Sequence, residues 1–172
     1  MAIAAVRDTE PTLPDEIEEL FREHYPLLYR SAYAVTGNRQ DAEDVLQSLF
    51  VKLLQTGIPP DLTHSPARYL HRAAVNLSLN VLRNRKRQRL VDGVEDLAIP
   101  VFDGCDADRQ YQEFHERLML AVAQLKPRAL EILLLHYKHD YSDVQIAKML
   151  GTTRGTIAVA LYRIRARLRK LL

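Results

Sequence analysis

SDVQIAKMLGTTRGTIAVALYRIRARLRKLL, Ser142 to Leu172, describes two short helices that meet at a glycine. Ser142 caps the first helix, with Gln145 three residues on in capping-box spacing, and Gly151 takes the turn that ends it. Ile146, Ala147 and Leu150 face inward. Thr152 and Thr153 open the second helix, where Ile157, Leu161, Ile164, Leu168 and Leu171 fall on one stripe at three- and four-residue steps. Tyr162, Arg163, Arg165, Arg169 and Lys170 are left on the outer side, towards water or a polyanion. A capped helix, a glycine turn and an arginine-dense second helix together predict a helix-turn-helix whose second member is presented to a DNA major groove. A basic helix that merely closes a bundle in water is the competing reading, and it leaves the cap and turn chemistry without a purpose.

Outward from this segment, the charge is segregated. The formal net charge is only +2, yet Arg83 to Arg89 reads RNRKRQR, and Val91 to Asp108 carries Asp92, Glu95, Asp96, Asp103, Asp106 and Asp108 with no Lys or Arg. The acidic stretch contains Gly93, Pro100 and Gly104 and lacks helical periodicity, so it marks a domain boundary. The predicted organisation is a disordered extension over 1–13, a helical domain over 14–89, an acidic linker over 90–108 and a helix-turn-helix domain over 109–172. Since no segment alternates with a period of two, the predicted class is all-α, two small helical domains joined by an extended linker. No apolar run approaches the ~20 residues that span a bilayer, which excludes membrane insertion and predicts a cytoplasmic protein. Cys105 is the single cysteine, and it reads as an idle thiol in a reducing compartment.

In the first domain, Pro14 to about Thr36 predicts a helical stretch interrupted near Pro26, with Ile17, Leu20, Phe21, Leu27, Leu28 and Ala32 in its core. Gly37 ends it and Asn38 starts a second helix. There Ala42, Val45, Leu46, Leu49, Phe50, Leu53 and Leu54 recur at helical spacing until Gly57, Pro59 and Pro60 stop the run. Asp41, Asp44, Gln47, Ser48 and Val51 fall on the side opposite this core, where they suit a partner surface; acids near a helix start also favour the helix dipole. Ser65 and Pro66 open a third helix. Its inward stripe is Leu70, Ala73, Ala74, Leu77 and Val81. The opposite stripe holds Arg68, Arg72, Asn76, Leu79, Arg83 and Lys86, a basic face with Tyr69 at its edge that suits unstacked bases.

DAEDVLQSLFVKLL from Asp41, ARYLHRAAVNLSLNVLRNRKR from Ala67 and the terminal helix-turn-helix together resemble, in order, region two, the promoter-melting helix and region four of extracytoplasmic-function sigma factors. The resemblance implies an initiation subunit whose partners are the bacterial RNA polymerase core and promoter DNA, with no cofactor or metal and no catalytic residue. It implies that Asp41, Asp44, Gln47 and Ser48 contact the polymerase clamp helices, with Asp41 and Asp44 solvent-facing. Arg68, Tyr69, Arg72, Asn76, Asn80 and Arg83 would take the minus-ten element and a flipped base, together with the loop from Gly57 to Ala67. Thr152, Thr153, Arg154, Thr156, Val159, Arg163 and Arg165 would read the minus-thirty-five duplex. The acidic linker would thread the polymerase channel. An anti-sigma factor is a further candidate partner, for which Val51, Val75 and Leu79 are expected to be exposed.

The chain departs from the family pattern at three places. Tyr69 stands where tryptophan is usual, Asn80 replaces a frequent aspartate, and Ala158, Val159 and Ala160 occupy positions where lysine, serine and arginine are common. Readout by the last helix would therefore lean on thymine methyls, on Thr153, Arg154 and Thr156, and on DNA shape. Two other functions remain open. One is a response-regulator-like transcription regulator, which leaves the AEDVLQ helix unexplained, and the other is a sigma-like interaction protein that no longer opens promoters. An enzyme is disfavoured: His136, His139 and Asp140 read as helix-end polar groups rather than metal ligands, and there is no phosphate loop or nucleophile elbow.

Overall fold

The computed structural model describes residues 12–92 and 106–172. They form eight helices and, among the described residues, no strand: α1 Leu13–Thr36, α2 Arg39–Thr56, α3 Pro60–His64, α4 Pro66–Asp92, α5 Asp106–Ala123, α6 Pro127–Tyr137, α7 Asp143–Leu150 and α8 Arg154–Leu171. The all-α class in two helical groups is as expected. None of the helices among the described residues is long and apolar enough to cross a membrane. The predicted extension before Thr12, Cys105 and the middle of the acidic linker lie outside the described residues.

Local chemistry explains most of the boundaries. Thr12 donates its backbone N–H to the Asp15 carboxylate at 2.9 Å, which fixes the first turn of α1. Gly37, at φ 76°, ends α1 in the left-handed region and donates to the Tyr33 carbonyl at 2.9 Å. Asn38 then caps α2, its Oδ1 accepting from the Asp41 N–H at 2.8 Å. Asn38→Ala is expected to lower stability by about 1 kcal/mol, read as a lower urea midpoint at unchanged m.

Two sequence expectations fail here. α1 runs without a break through Pro26, because the ring removes one N–H while the affected turn is exposed and water can satisfy the Arg22 carbonyl. Between Gly57 and Ala67, taken as a loop, Pro60 opens the single helical turn α3, whose Leu62 is fully buried.

The first core gathers Ile17, Phe21, Leu28, Leu46, Leu49, Leu53, Leu62, Leu70 and Ala74 from α1 to α4. Phe50 packs its ring edge-on to Phe21, with centroids 5.2 Å apart. Leu54, placed in this core by periodicity, is exposed instead.

The second core is not confined to the C-terminal group. Val122, Leu125, Leu130, Ile132, Leu135, Ile146, Leu150, Ile157, Leu161 and Ile164 share one cluster with Val35 of α1 and with Val75 and Leu79 of α4. The expected exposure of Val75 and Leu79 is thus wrong: both are buried, Leu79 completely. Their apolar surface on the outer side of α4 is covered by the C-terminal helices, and burying an aliphatic side chain of this size is worth about 1.5–3 kcal/mol. The two groups of helices meet along a shared apolar seam.

Candidate nucleic-acid interface

The helix-turn-helix forms as its residues require. The Gln145 N–H donates to Ser142 Oγ at 3.3 Å while the Ser142 N–H donates to Gln145 Oε1 at 2.9 Å, a reciprocal capping box. Gly151 turns at φ 64°, and Thr153 Oγ1 accepts from the Thr156 N–H at 3.2 Å to start α8. Ile157, Leu161 and Ile164 are buried under the helix. Thr153, Arg154, Thr156, Val159, Arg163 and Arg165 are exposed on its outer side, Tyr162 is the most exposed large apolar group at 73%, and Thr152 is half-buried. Arg165 is held in place: its Nε donates to the Tyr137 hydroxyl at 2.6 Å and its guanidinium sits 5.7 Å from that ring's centre. Tyr137, at the end of α6, is a positioning residue that the sequence reading did not single out.

On α4 the six candidate residues split. Arg72 and Asn80 are exposed, whereas Arg68, Tyr69, Asn76 and Arg83 are half-buried. Tyr69 leans on the first core. Arg83 donates from Nε to the Ala123 carbonyl at 3.0 Å and from Nη2 to the Leu125 carbonyl at 2.9 Å, satisfying the C-terminal end of α5. The Arg68 guanidinium lies against the turn at Gly151, where a Cβ would come within 3.0 Å of Nη1. Asn76 Oδ1 is buried and accepts no hydrogen bond. The expectation of one fully open basic face is therefore corrected: much of it lies under the C-terminal helices.

Facing α4 across the seam is Glu131 of α6, only 1% exposed. Burial pushes its carboxyl above the usual range, against the pull of Arg128, bonded at 2.9 Å, and of the nearby Arg72 and Arg68 charges. Close by, the Ser31 hydroxyl bridges two imidazoles, 3.0 Å from His71 Nε2 and 2.7 Å from His139 Nε2. Burial, and secondarily His139, lowers the pKa of His71 to about 3; burial also lowers that of His139. His139 was expected to be a helix-end polar group meeting carbonyls or solvent, and it instead joins the two groups of helices through Ser31. The sequence signal for Glu131 was a lone carboxylate inside the apolar run ALEILLLHY, whereas nothing in the sequence marks Ser31.

On α2, Asp44, Gln47 and Ser48 are exposed, and so is Val51. Asp41 is not the solvent-facing acid that was expected. Its carboxylate accepts from Asn38 Nδ2 at 2.8 Å and pairs with Arg85 of α4, so it ties α2 to α4. His136 lies 3.6 Å from Asp143 and does not converge with His139.

Two family models match the chain: Sigma-70 region 2 over residues 20–88 and Sigma-70, region 4 over residues 115–168. The ECF RNA polymerase sigma factor SigM of Mycobacterium tuberculosis is 30% identical over 156 residues, covering 90% of this chain and 76% of the relative. SigE of Mycolicibacterium smegmatis, also described as an ECF RNA polymerase sigma factor, is 30% identical over 164 residues; the alignment covers 90% of this chain but only 61% of that relative. SigW of Bacillus subtilis, described in the same words, is 25% identical over 154 residues, 84% of this chain and 82% of the relative.

Proposed function

The chain belongs to the extracytoplasmic-function sigma factors of RNA polymerase, and from that membership we propose a division of tasks among its three polar surfaces. The 14–89 unit binds core polymerase through Asp44, Gln47 and Ser48 of α2 and opens the minus-ten element on α4. The 109–172 unit docks α8 in the major groove of the minus-thirty-five element, and the acidic segment tethers the two. The observation that carries this reading is α8: a Thr153-capped helix behind a glycine turn, apolar beneath, with Arg154, Arg163 and Arg165 outward.

Promoter opening on this reading needs no catalytic side chain. Extruding a base costs a few kcal/mol of stacking and pairing, and a pocket offsets this by stacking and hydrogen bonding at the flipped base. A captured base recovers about 1–3 kcal/mol against an aromatic face, here that of Tyr69, with Arg72 and Asn80 on the adjoining backbone and base edge. The absence of charged side chains at Ala158 and Val159 on the outer face of α8 leaves readout to methyl contacts and DNA shape. The chain works in the cytoplasm, where the polymerase is, and an anti-sigma protein would find apolar purchase at the exposed Val51.

Run-off transcription with core polymerase, this chain and a genomic promoter library is the direct test. Start sites that depend on the chain support the reading, and polymerase binding without any defined start site would leave a sigma-like interaction protein. Arg163→Ala is expected to weaken duplex binding and to reduce the slope of log K against log salt by about one unit, the signature of one lost phosphate contact. An unchanged slope would remove Arg163 from the phosphate-contacting set.

A further inference from the structure

We infer that the unbound chain is self-inhibited: its C-terminal helices close over the promoter-binding face of α4 and are pinned there by the Ser31-bridged histidines and by Arg83, so DNA and the helix-turn-helix unit compete for one surface. The inference rests on the promoter reading of α4 given above and adds how that site is regulated.

Four independent contacts meet on the same face. Val75 and Leu79 are buried by the C-terminal core. Arg83 is spent on the Ala123 and Leu125 carbonyls. Arg68 packs on the Gly151 turn, and the Glu131 carboxylate sits among the α4 arginines where a backbone phosphate would otherwise be drawn. Asn76 Oδ1 is buried with no donor, a polar group made for a ligand and covered by protein. A strand of DNA cannot reach Asn76 or Arg83 until the seam parts.

The pin is acid-labile. His139 reaches from the turn after α6 to Ser31 on α1, and Ser31 also meets His71 on α4. Around His139 stand Glu23, His24 and Arg30 of α1, Ala67 and His71 of α4, and Lys138, Asp140 and Tyr141 of its own turn; Arg30 and Lys138 oppose a second positive charge and Asp140 favours it. Closure thus favours the neutral form of both imidazoles. Because the closed-state pKa values are depressed, closure is favoured in full above the ordinary histidine value near 6.5 and is lost as pH falls towards about 3. At about pH 5.5, a His71 that regains its ordinary pKa on opening shifts the equilibrium roughly tenfold towards the open form, and His139 acts in the same direction.

The test uses the full chain with Cys105→Ser and spin labels at Lys52→Cys and Lys148→Cys, both exposed positions on different groups of helices. The distance between labels is measured at about pH 8 and about pH 5.5, alongside binding of a fluorescent single-stranded oligonucleotide of mixed sequence. Wild-type protein is expected to give one short distance at the higher pH and a longer population at the lower. His139→Lys, which sets a fixed cation beside Arg30 and Lys138, is expected to be open at both and to bind the strand about tenfold more tightly. His139→Ala adds no charge; it should fold even if the lysine variant does not, and should flatten the pH dependence of the distance.

A broad, long distance for wild type at the higher pH overturns the inference, as does a distance indifferent to pH and to both substitutions. Equal strand binding by closed and open forms removes the occlusion alone. If neither form binds the strand, the promoter reading falls and takes this inference with it.

Discussion

Replacing Asp44 and Gln47 of α2 with lysine is expected to abolish capture of the chain by core polymerase while leaving its helicity and unfolding midpoint unchanged. Both side chains are exposed, and no side-chain hydrogen bond or ion pair within the described residues engages either, so the fold gives up nothing when they change. A partner surface that complements the Asp44 carboxylate would instead meet two new like charges. Truncating a buried interfacial charge pair costs about 2–5 kcal/mol, and reversal adds repulsion, so a loss of at least about thirtyfold in Kd is expected. Gel filtration of the variant with purified core, together with a urea melt of the variant alone, reads both halves. Wild-type capture by the folded variant would refute the clamp assignment. Asp41→Lys is the instructive contrast: that carboxylate holds Asn38 and pairs with Arg85, so its reversal should lower stability as well as binding.

The second large effect is expected from Leu135→Ala. Leu135 is fully buried in the C-terminal core, in one cluster with Ile146, Ile157 and Leu161, and truncating such a leucine removes its transfer energy and leaves a cavity. The expected cost is about 2–5 kcal/mol, a large part of the stability of a domain this size, with loss of promoter-dependent transcription because α8 is no longer held. Equilibrium urea unfolding measures it. A change below about 1 kcal/mol would mean that the core relaxes around the gap and that Leu135 does not anchor α6 to α8. Leu79→Ala makes a companion measurement, since Leu79 lies on the seam. Its cost should approach that of Leu135→Ala only while the two groups of helices remain in contact.

Elements whose cause is local are legible in the sequence. Ser142, Gln145, Gly151 and Thr153 cap and turn α7 and α8 by contacts within a few residues, and Gly37 with Asn38 does the same between α1 and α2. The three- and four-residue spacing of Ile157, Leu161 and Ile164 likewise predicted which side of α8 is buried. Periodicity failed where it had to choose between two apolar stripes on one helix. On α4, Leu70 and Ala74 mark one side and Val75 and Leu79 the other, and only the first was assigned to a core. Pattern identifies an apolar face but does not name what covers it. The same limit hid the true setting of Asp41, Arg83 and His139, whose partners are 44, 40 and 108 residues away in sequence for Arg85, the Ala123 carbonyl and Ser31.

The amino-acid sequence by itself determined the caps and turns around α1, α2, α7 and α8, the helix-turn-helix and the charges carried by each outer surface, because these follow from interactions spanning one or two turns. The tertiary structure alone decided which of those surfaces are open. Val75, Leu79 and Asn76 of α4 are covered by helices from the other end of the chain, and Glu131 is drawn in among arginines. Burial depends on what else fills the space around a side chain, and that is a property of the packed molecule as a whole.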